Sequence, residues 1–119
     1  MKHGKRYREQ YAKVDRERHY APRAELRLVP RGQRDAAVRE SAALARAGRR
    51  VGALLLAPWP APLHEAVAMS LDAAAYARDL YAALHALDDA DCEVAFVDEV
   101  PDGPEWAGVR DRLRRATTR

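Results

Sequence analysis

The segment Val51–Leu56 is almost entirely apolar and lies between two arginines and a proline-rich stretch. It is too short for a typical helix, and it lacks the polar and apolar alternation of a strand with one solvated face. Strands that are apolar at nearly every position are typical of parallel sheets, because helices cover both faces of such sheets. Val51–Leu56 therefore predicts a buried parallel strand and an α/β fold for the chain.

Three other short runs predict strands, and three longer amphipathic segments predict helices. Tyr76, Leu80 and Leu84 recur at spacings of four, so they share one helix face. Asp72 is a typical N-cap for that helix, and Gly48 is a typical stop after an earlier one. The predicted strands cover residues 26–29, 65–69 and 93–97, and the predicted helices cover residues 33–47, 72–87 and 105–116.

Helices that alternate with short apolar strands are typical of βα units in a mostly parallel sheet. We therefore expect a small Rossmann-like three-layer α/β domain with about four mostly parallel strands and three helices. The chain of 119 residues suits a single domain. We assign residues 1–17 to a basic N-terminal arm or linker and residues 18–119 to the domain.

The arm differs from the rest of the chain in its basic residues. The lysines are Lys2, Lys5 and Lys13 only, whereas the 18 arginines continue to the C-terminus. The spacing of Tyr7, Tyr11 and Val14 allows a short amphipathic helix, and a segment that orders only against a partner fits equally well.

Charge is unevenly distributed along the chain. Residues 1–20 carry +4, residues 21–108 carry −5 and residues 109–119 carry +4, for a net charge of +3. Basic ends of this kind fit contact with RNA phosphates, and they also occur as solvated tails and solvated helix faces.

Composition excludes several classes of protein. No apolar run is long enough for a transmembrane helix, and the basic N-terminus lacks the apolar stretch of a secretory signal. The single cysteine, Cys92, excludes an internal disulfide framework and a cysteine-rich zinc site. We expect a cytoplasmic protein without a membrane partner.

Residue types that often carry chemistry lack the spacing that such chemistry needs. The turn Pro30–Gln33 has one glycine and no G-x-G-x-x-G pattern, so it predicts a plain β-to-α turn. Ser41 and Ser70 lack a G-x-S-x-G context. We expect Cys92 to be a small buried residue rather than a nucleophile. The histidines at positions 3, 19, 64 and 85 have no metal-ligand spacing. We expect no catalytic residue, no metal site and no cofactor.

Seven carboxylates lie close together between two helices. Their spacing lacks the glycine and the terminal glutamate of a calcium loop, so they predict a solvated rim rather than a cation site. They are Asp88, Asp89, Asp91, Glu93, Asp98, Glu99 and Asp102.

Three sequence blocks, in order, resemble the C-terminal domain of two-domain threonylcarbamoyl-AMP synthases. The first is Arg18-His19-Tyr20-Ala21-Pro22-Arg23-Ala24, which resembles the end of the family's interdomain linker. The second, Ala77–Asp88, is similar to a family pattern A-R-N-L-Y-x-A-L-R-x-L-D, with Asp79 in place of the amide and His85 in place of the basic residue. The third, Asp111–Ala116, matches the ending D-R-L-x-[RK]-A.

This resemblance implies a Rossmann-like domain and a link to tRNA modification. The family's catalytic domain makes threonylcarbamoyl-AMP from threonine, bicarbonate and ATP, and the product feeds threonylcarbamoylation of an adenosine in tRNA. The linker in that family lies near the mouth of the active site, and Arg18, His19, Tyr20 and Pro22 are the positions that match it. The family's catalytic domain has no counterpart in these 119 residues.

The arm has a resemblance of its own. Residues 2–15 are similar to the start of the bacterial ribosomal stalk protein, which binds large-subunit RNA, and residues 4–8 also fit a displaced form of the linker pattern G-M-x-Y-R-H. If the arm binds RNA, its basic and aromatic side chains would contact phosphates and bases. The candidate RNA-binding residues are Lys5, Arg6, Tyr7, Arg8, Lys13 and Arg16.

The sequence thus favours a non-catalytic accessory or regulatory domain that works with a separate catalytic synthase chain or another tRNA-modification protein. The first alternative is a small RNA-binding protein that uses its arm. The second is a solitary domain that binds a nucleotide-like ligand at the sheet edge.

Overall fold

The computed structural model describes residues 20–117, and these form four strands and three α-helices. The predicted arm at residues 1–17 lies outside this range, so its boundary stays a prediction. The strands are β1 (Glu25–Val29), β2 (Val51–Leu55), β3 (Glu65–Ala68) and β4 (Val94–Asp98), and the helices are α1 (Arg34–Arg46), α2 (Ala73–Asp89) and α3 (Ala107–Thr117).

The four strands form one parallel sheet in the order β1-β4-β2-β3. The last strand in the sequence, β4, is therefore central, and it pairs with β1 from Glu25↔Val94 to Val29↔Asp98. Every residue of β2 and of β4 is buried. This confirms the prediction of a buried parallel strand at Val51–Leu56, which ends one residue earlier at Leu55.

Helices cover both faces of the sheet, which confirms the predicted three layers. Leu54 and Val97 belong to the core under α2 and α3, whereas Val51 and Phe96 belong to the core under α1. Because β-α-β connections are right-handed, connections that run in opposite directions across a sheet place their helices on opposite faces. The connection β1-α1-β2 and the connection β3-α2-β4 run in opposite directions.

Both capping residues found in the sequence lie at helix ends. The Asp72 carboxylate accepts a hydrogen bond from the Ala75 N–H at 3.0 Å, and Gly48 has φ of 87° after α1. The last helix begins at Ala107 rather than Glu105, because Pro104–Trp106 forms a 3-10 turn whose Trp106 is buried. Within residues 20–117, no helix is both long and apolar enough to cross a membrane.

Candidate functional site

The carboxyl edge of the sheet is the usual ligand edge of an open α/β fold. Here the turn after β1 is already held by the chain itself, since the Arg31 N–H donates to the Glu99 carboxylate at 2.9 Å. The Arg31 guanidinium also pairs with Asp102 at 3.1 Å. A backbone amide that could bind an anion at this turn therefore has a carboxylate partner.

Asp98 lies at the end of central β4 and joins three segments. Its two oxygens accept from Nε and Nη2 of Arg34 at 2.8 and 2.9 Å, and Oδ2 also accepts from the Leu56 N–H at 2.9 Å. Arg34 in turn donates to the carbonyls of Ala57 and Pro58. Asp98 is only 5% exposed, so the predicted solvated rim is wrong at this position. A long-range ion pair, absent from the local pattern, explains its burial.

Trp59 follows this ion pair in the loop between β2 and β3. Its ring lies under the Arg34 guanidinium at 5.2 Å and against Phe96 at 5.7 Å. Its Nε1–H donates to Ser41 Oγ at 3.0 Å, and that hydroxyl donates to the Val38 carbonyl. Trp59 and the buried Ser41 thus connect α1, the loop and the sheet.

Two clefts open beside the carboxyl edge, with volumes of about 220 and 400 Å³. The smaller is lined by Arg31, Arg34 and Asp98, and the larger by Asp98, Glu99 and Arg110. Arg110 donates hydrogen bonds to the backbone carbonyls of Pro101 and Gly103, much as Arg34 donates to backbone carbonyls of the loop after β2. The charged groups around these clefts form ion pairs with one another or hydrogen bonds to the backbone. Because both signs of charge are present, the clefts favour no class of ligand.

The remaining single candidates have structural partners. Cys92 is buried, which confirms its prediction, and burial raises the pKa of its thiol above the ordinary value. His64 accepts the Val51 N–H at its Nδ1 at 3.0 Å. Residues 20–117 contain no group of three or more histidine, cysteine or carboxylate side chains placed to hold a metal.

On the amino side of the sheet, the Tyr20 side chain makes ring contacts and a hydrogen bond with residues of α2. Its ring stacks on His85 with centroids 4.3 Å apart and planes 5° apart, and it lies 5.4 Å from the ring of Tyr81. Its hydroxyl donates to Asp88 Oδ2. Stacked ring pairs contribute about 0.5–1.5 kcal/mol beyond the area that they bury.

The backbone after Tyr20 is held by the same carboxylate. The Arg23 N–H donates to Asp88 Oδ1 at 2.9 Å, and the Arg23 guanidinium donates to the Asp88 carbonyl at 3.1 Å. Pro22 and Ala24 are fully buried on either side of this contact. A cavity of only about 70 Å³ remains between Tyr20, α2 and α3, which is far too small for a nucleotide.

Burial is the main cause that raises the pKa of the Tyr20 phenol, and its hydrogen bond to Asp88 raises it further. Deprotonation would remove the donated proton and place an anion beside the carboxylate. The phenol is therefore a neutral donor to Asp88 throughout the physiological pH range.

The sequence-predicted site residues are only partly within the described range. Tyr20 and Pro22 pack against the domain, whereas Arg18 and His19 lie outside residues 20–117. All six candidate RNA-binding residues lie outside it as well: Lys5, Arg6, Tyr7, Arg8, Lys13 and Arg16.

Sequence reasoning missed the partners of Tyr20. Tyr81, His85 and Asp88 recur at spacings of four and three, which places them on one face of α2. This stripe runs beside the buried stripe that contains Leu80, Leu84 and Leu87. The first and second blocks of the family resemblance thus contact each other in space, which neither block reveals alone.

Comparison with known families gives one assignment. The family described as threonylcarbamoyl-AMP synthase, C-terminal domain, matches residues 11–118. No curated protein matches the chain in sequence.

The solved structures that are similar to this chain include three of Sua5 proteins. Sua5 of P. abyssi in complex with L-threonine is 26% identical with a TM-score of 0.69, over 83% of this chain and 29% of that chain. A variant of P. abyssi Sua5, with a histidine and a tyrosine replaced by alanine, is 25% identical with a TM-score of 0.70, over 81% of this chain and 28% of that one.

The third structure is a C-terminal Sua5 domain from a hypothetical Sua5 protein of Pyrococcus horikoshii. It is 23% identical with a TM-score of 0.64, over 79% of this chain and 93% of that chain, and it supports the fold. The present chain thus spans less than a third of the P. abyssi proteins and nearly all of the P. horikoshii domain.

Proposed function

Because the chain belongs to the family of threonylcarbamoyl-AMP synthase C-terminal domains, we propose that it is a non-catalytic accessory domain for threonylcarbamoyl-AMP synthesis. It would act on a separate catalytic synthase chain. The product would feed threonylcarbamoylation of tRNA, as the family resemblance implies. The observation that carries the proposal is the family match, which extends over residues 11–118.

The chemistry of the described residues supports a non-catalytic role. Within residues 20–117, Ser41 and Cys92 are both buried, and burial keeps the Cys92 thiol protonated by raising its pKa. The Arg34–Asp98 pair is used in joining β4 to α1 and to the loop after β2. This chain matches 28% and 29% of the length of the two P. abyssi proteins. The second of these structures is a complex with L-threonine. We therefore assign threonine binding and adenylate chemistry to the partner chain.

The position of Tyr20 also supports an accessory role. The resemblance places Arg18–Pro22 at the end of a linker that lies near an active-site mouth. In this chain the last part of that segment is fastened to α2 by Tyr20 and Arg23. A domain that holds a linker in this way would influence a catalytic partner through the position of the linker.

The test combines the purified chain with the catalytic synthase chain of the same organism. We expect a stable complex and a higher rate of threonylcarbamoyl-AMP formation from threonine, bicarbonate and ATP. The matched control is Arg39→Ala, which changes an exposed position on α1 and should leave both values unchanged. Absence of both binding and any effect on the rate would overturn the proposal.

The same preparation also tests the RNA-binding alternative. A basic arm that contacts phosphates predicts a tRNA affinity that falls steeply with salt and is lost when residues 1–17 are deleted. Salt-dependent tRNA binding without any effect on the synthase would replace the accessory function by that alternative.

A further inference from the structure

We propose that Tyr81, His85 and Asp88 of α2 form a receiving site for Tyr20 that fixes the direction in which the linker enters the domain. We call this contact the Tyr20 latch. Its residues are positioning residues, since they would act on catalysis only through the linker that they hold. The proposed effect on catalysis rests on the accessory function, whereas the latch itself does not.

The latch holds the Tyr20 side chain from three directions. His85 covers one ring face, Tyr81 lies obliquely against the ring, and Asp88 accepts at the hydroxyl. The receiving residues lie on successive turns of one helix, so their mutual positions are set by the backbone of α2. The position and the plane of the Tyr20 ring are therefore set by α2.

The latch also fixes the backbone. Asp88 accepts from the Tyr20 side chain with one oxygen and from the Arg23 N–H with the other. The buried Pro22 lies between these two contacts, and a proline favours an extended conformation of the residue before it, here Ala21. A segment that is tied at both ends around a proline has one direction of entry into the fold.

The latch places Tyr20, where the described residues begin, at the amino edge of the sheet. Asp88 lies near the end of α2, and Glu25 and Val94 are the paired first residues of β1 and β4. The Arg34–Asp98 pair lies at the opposite, carboxyl edge, about 15 Å away along a five-residue strand. The catalytic partner would therefore approach the amino edge, although ligands of open α/β sheets usually bind at the carboxyl edge.

His85 is the element of the latch that distinguishes this chain from the family pattern, which has a basic residue at that position. An imidazole can stack in full contact with a phenol ring, as the interplanar angle of 5° shows. An aromatic replacement should therefore keep the latch, whereas a small residue should open it. This separates the role of the stack from any role of the imidazole nitrogens.

The test first measures the direction of entry without any partner. Nitroxide labels at Glu17→Cys and Arg46→Cys report the distance between the linker and α1, while the buried Cys92 stays unlabelled. We expect a narrow distance distribution in the otherwise unchanged chain and a broad one in His85→Ala. His85→Phe should restore the narrow distribution. Tyr20→Phe should shift the latch about tenfold towards its open form, because it loses a hydrogen bond to a charged acceptor.

A role in packing alone makes a different prediction. In that case His85→Ala would lower the melting temperature and leave the distance distribution narrow, and this result would overturn the latch. A wide distribution in the unchanged chain would also overturn it. Arg31→Ala at the carboxyl edge is the control and should change neither the distribution nor the stimulation of the synthase.

The catalytic readout is kept separate. At saturating catalytic chain, His85→Ala should reduce the maximal stimulation, and His85→Phe should recover it. If the unchanged chain gives no stimulation, the accessory function fails while the distance distributions still decide the latch. If stimulation is present and is the same in His85→Ala with a broadened distribution, the link between the latch and catalysis is wrong.

Discussion

At the scale of single residues, Asp98 holds the end of the central strand in place. It accepts two hydrogen bonds from Arg34 and one from the Leu56 N–H, and its side chain is 6% exposed. The change Asp98→Asn removes the charge and one acceptor and leaves the largely covered guanidinium without its counter-ion. We expect a loss of about 1.5–3 kcal/mol in the free energy of unfolding, as for hydrogen bonds to charged groups. Urea denaturation at neutral pH measures this loss.

The control for this change is another arginine pair at the same edge. Arg31 contacts Glu99 and Asp102, but its side chain is 57% exposed. Exposed ion pairs contribute about 0–1 kcal/mol, so Arg31→Ala should cost less than Asp98→Asn. Equal losses for the two variants would contradict the structural role assigned to Asp98.

Glu93 gives a prediction about pH. Its carboxylate accepts from the Arg50 N–H and from Arg49 Nε, and these hydrogen bonds, in that order, hold its pKa below the ordinary value. A lowered pKa in the folded state adds stability above the pKa of the unfolded state, and this stability is lost as the pH falls through the folded pKa. Glu93→Gln should therefore be less stable than the unchanged chain at neutral pH.

The difference should disappear in acid. It should be complete above about pH 5 and should shrink below the ordinary glutamate pKa of about 4.3. Denaturation midpoints measured from pH 3 to pH 7 for both proteins test this, with Glu105→Gln as an exposed control. A difference that is the same at every pH would mean that Glu93 acts through packing rather than charge.

The local sequence pattern predicts the environment of a residue only when its contacts are made with near neighbours in the chain. The cap at Asp72 and the burial of Cys92 were predictable, because each depends on a few neighbouring residues. Asp88 and Asp98 belong to the same acidic cluster as exposed Asp89, and the sequence does not separate them. Their partners Tyr20 and Arg34 lie 68 and 64 positions away, so only the fold determines which carboxylates are paired.

At the scale of elements, the approach of α2 to β2 depends on Gly52. A Cβ at this position would lie 2.7 Å from Leu87 Cδ2 and 2.8 Å from Cys92 Sγ, both closer than van der Waals contact allows. Gly52→Ala should therefore push the helix and the strand apart. Overpacking of a filled core typically costs about 1–3 kcal/mol, and thermal denaturation measures that cost here.

Gly108 in α3 provides the matched control. A Cβ there would have no atom within 4 Å apart from its chain neighbours and the helix's own backbone. Because alanine is the better helix former, Gly108→Ala should stabilise the domain by up to about 1 kcal/mol. Opposite signs for the same substitution at the two glycines would support the steric argument, and a loss at both would refute it.

The elements themselves were largely predictable from the sequence. Buried strands such as β2 and amphipathic helices such as α2 carry their signal in their own residues. The start of α3 was placed two residues too early, since Pro104 begins a 3-10 turn that helical periodicity does not detect. The contact of Tyr20 with α2 was not predictable, because neither of the two segments that it joins shows by itself that they meet in space.

At the scale of the whole molecule, the sheet order could not be read from the sequence. Right-handed connections and covered faces limit the possible arrangements, but several strand orders satisfy both rules. In this fold β4 lies between β1 and β2, so the last strand in the chain joins β1 to the pair formed by β2 and β3. This dependence on β4 is a property of the topology rather than of any single contact.

A fragment that ends at residue 92 tests this dependence. It keeps β1, β2, β3 and α2, but β1 loses the only neighbour that it pairs with in the described sheet. It also loses the buried Val94, Phe96 and Trp106. We expect it to be unfolded, with poor dispersion of its amide NMR signals, because long-range strand pairing gains nothing until the joining strand is present. Deletion of residues 1–17 should leave the melting temperature nearly unchanged, since every element described here lies beyond them. A folded fragment 1–92 would mean that β2 and β3 with α2 form a stable unit of their own and that β4 is added to it rather than required by it.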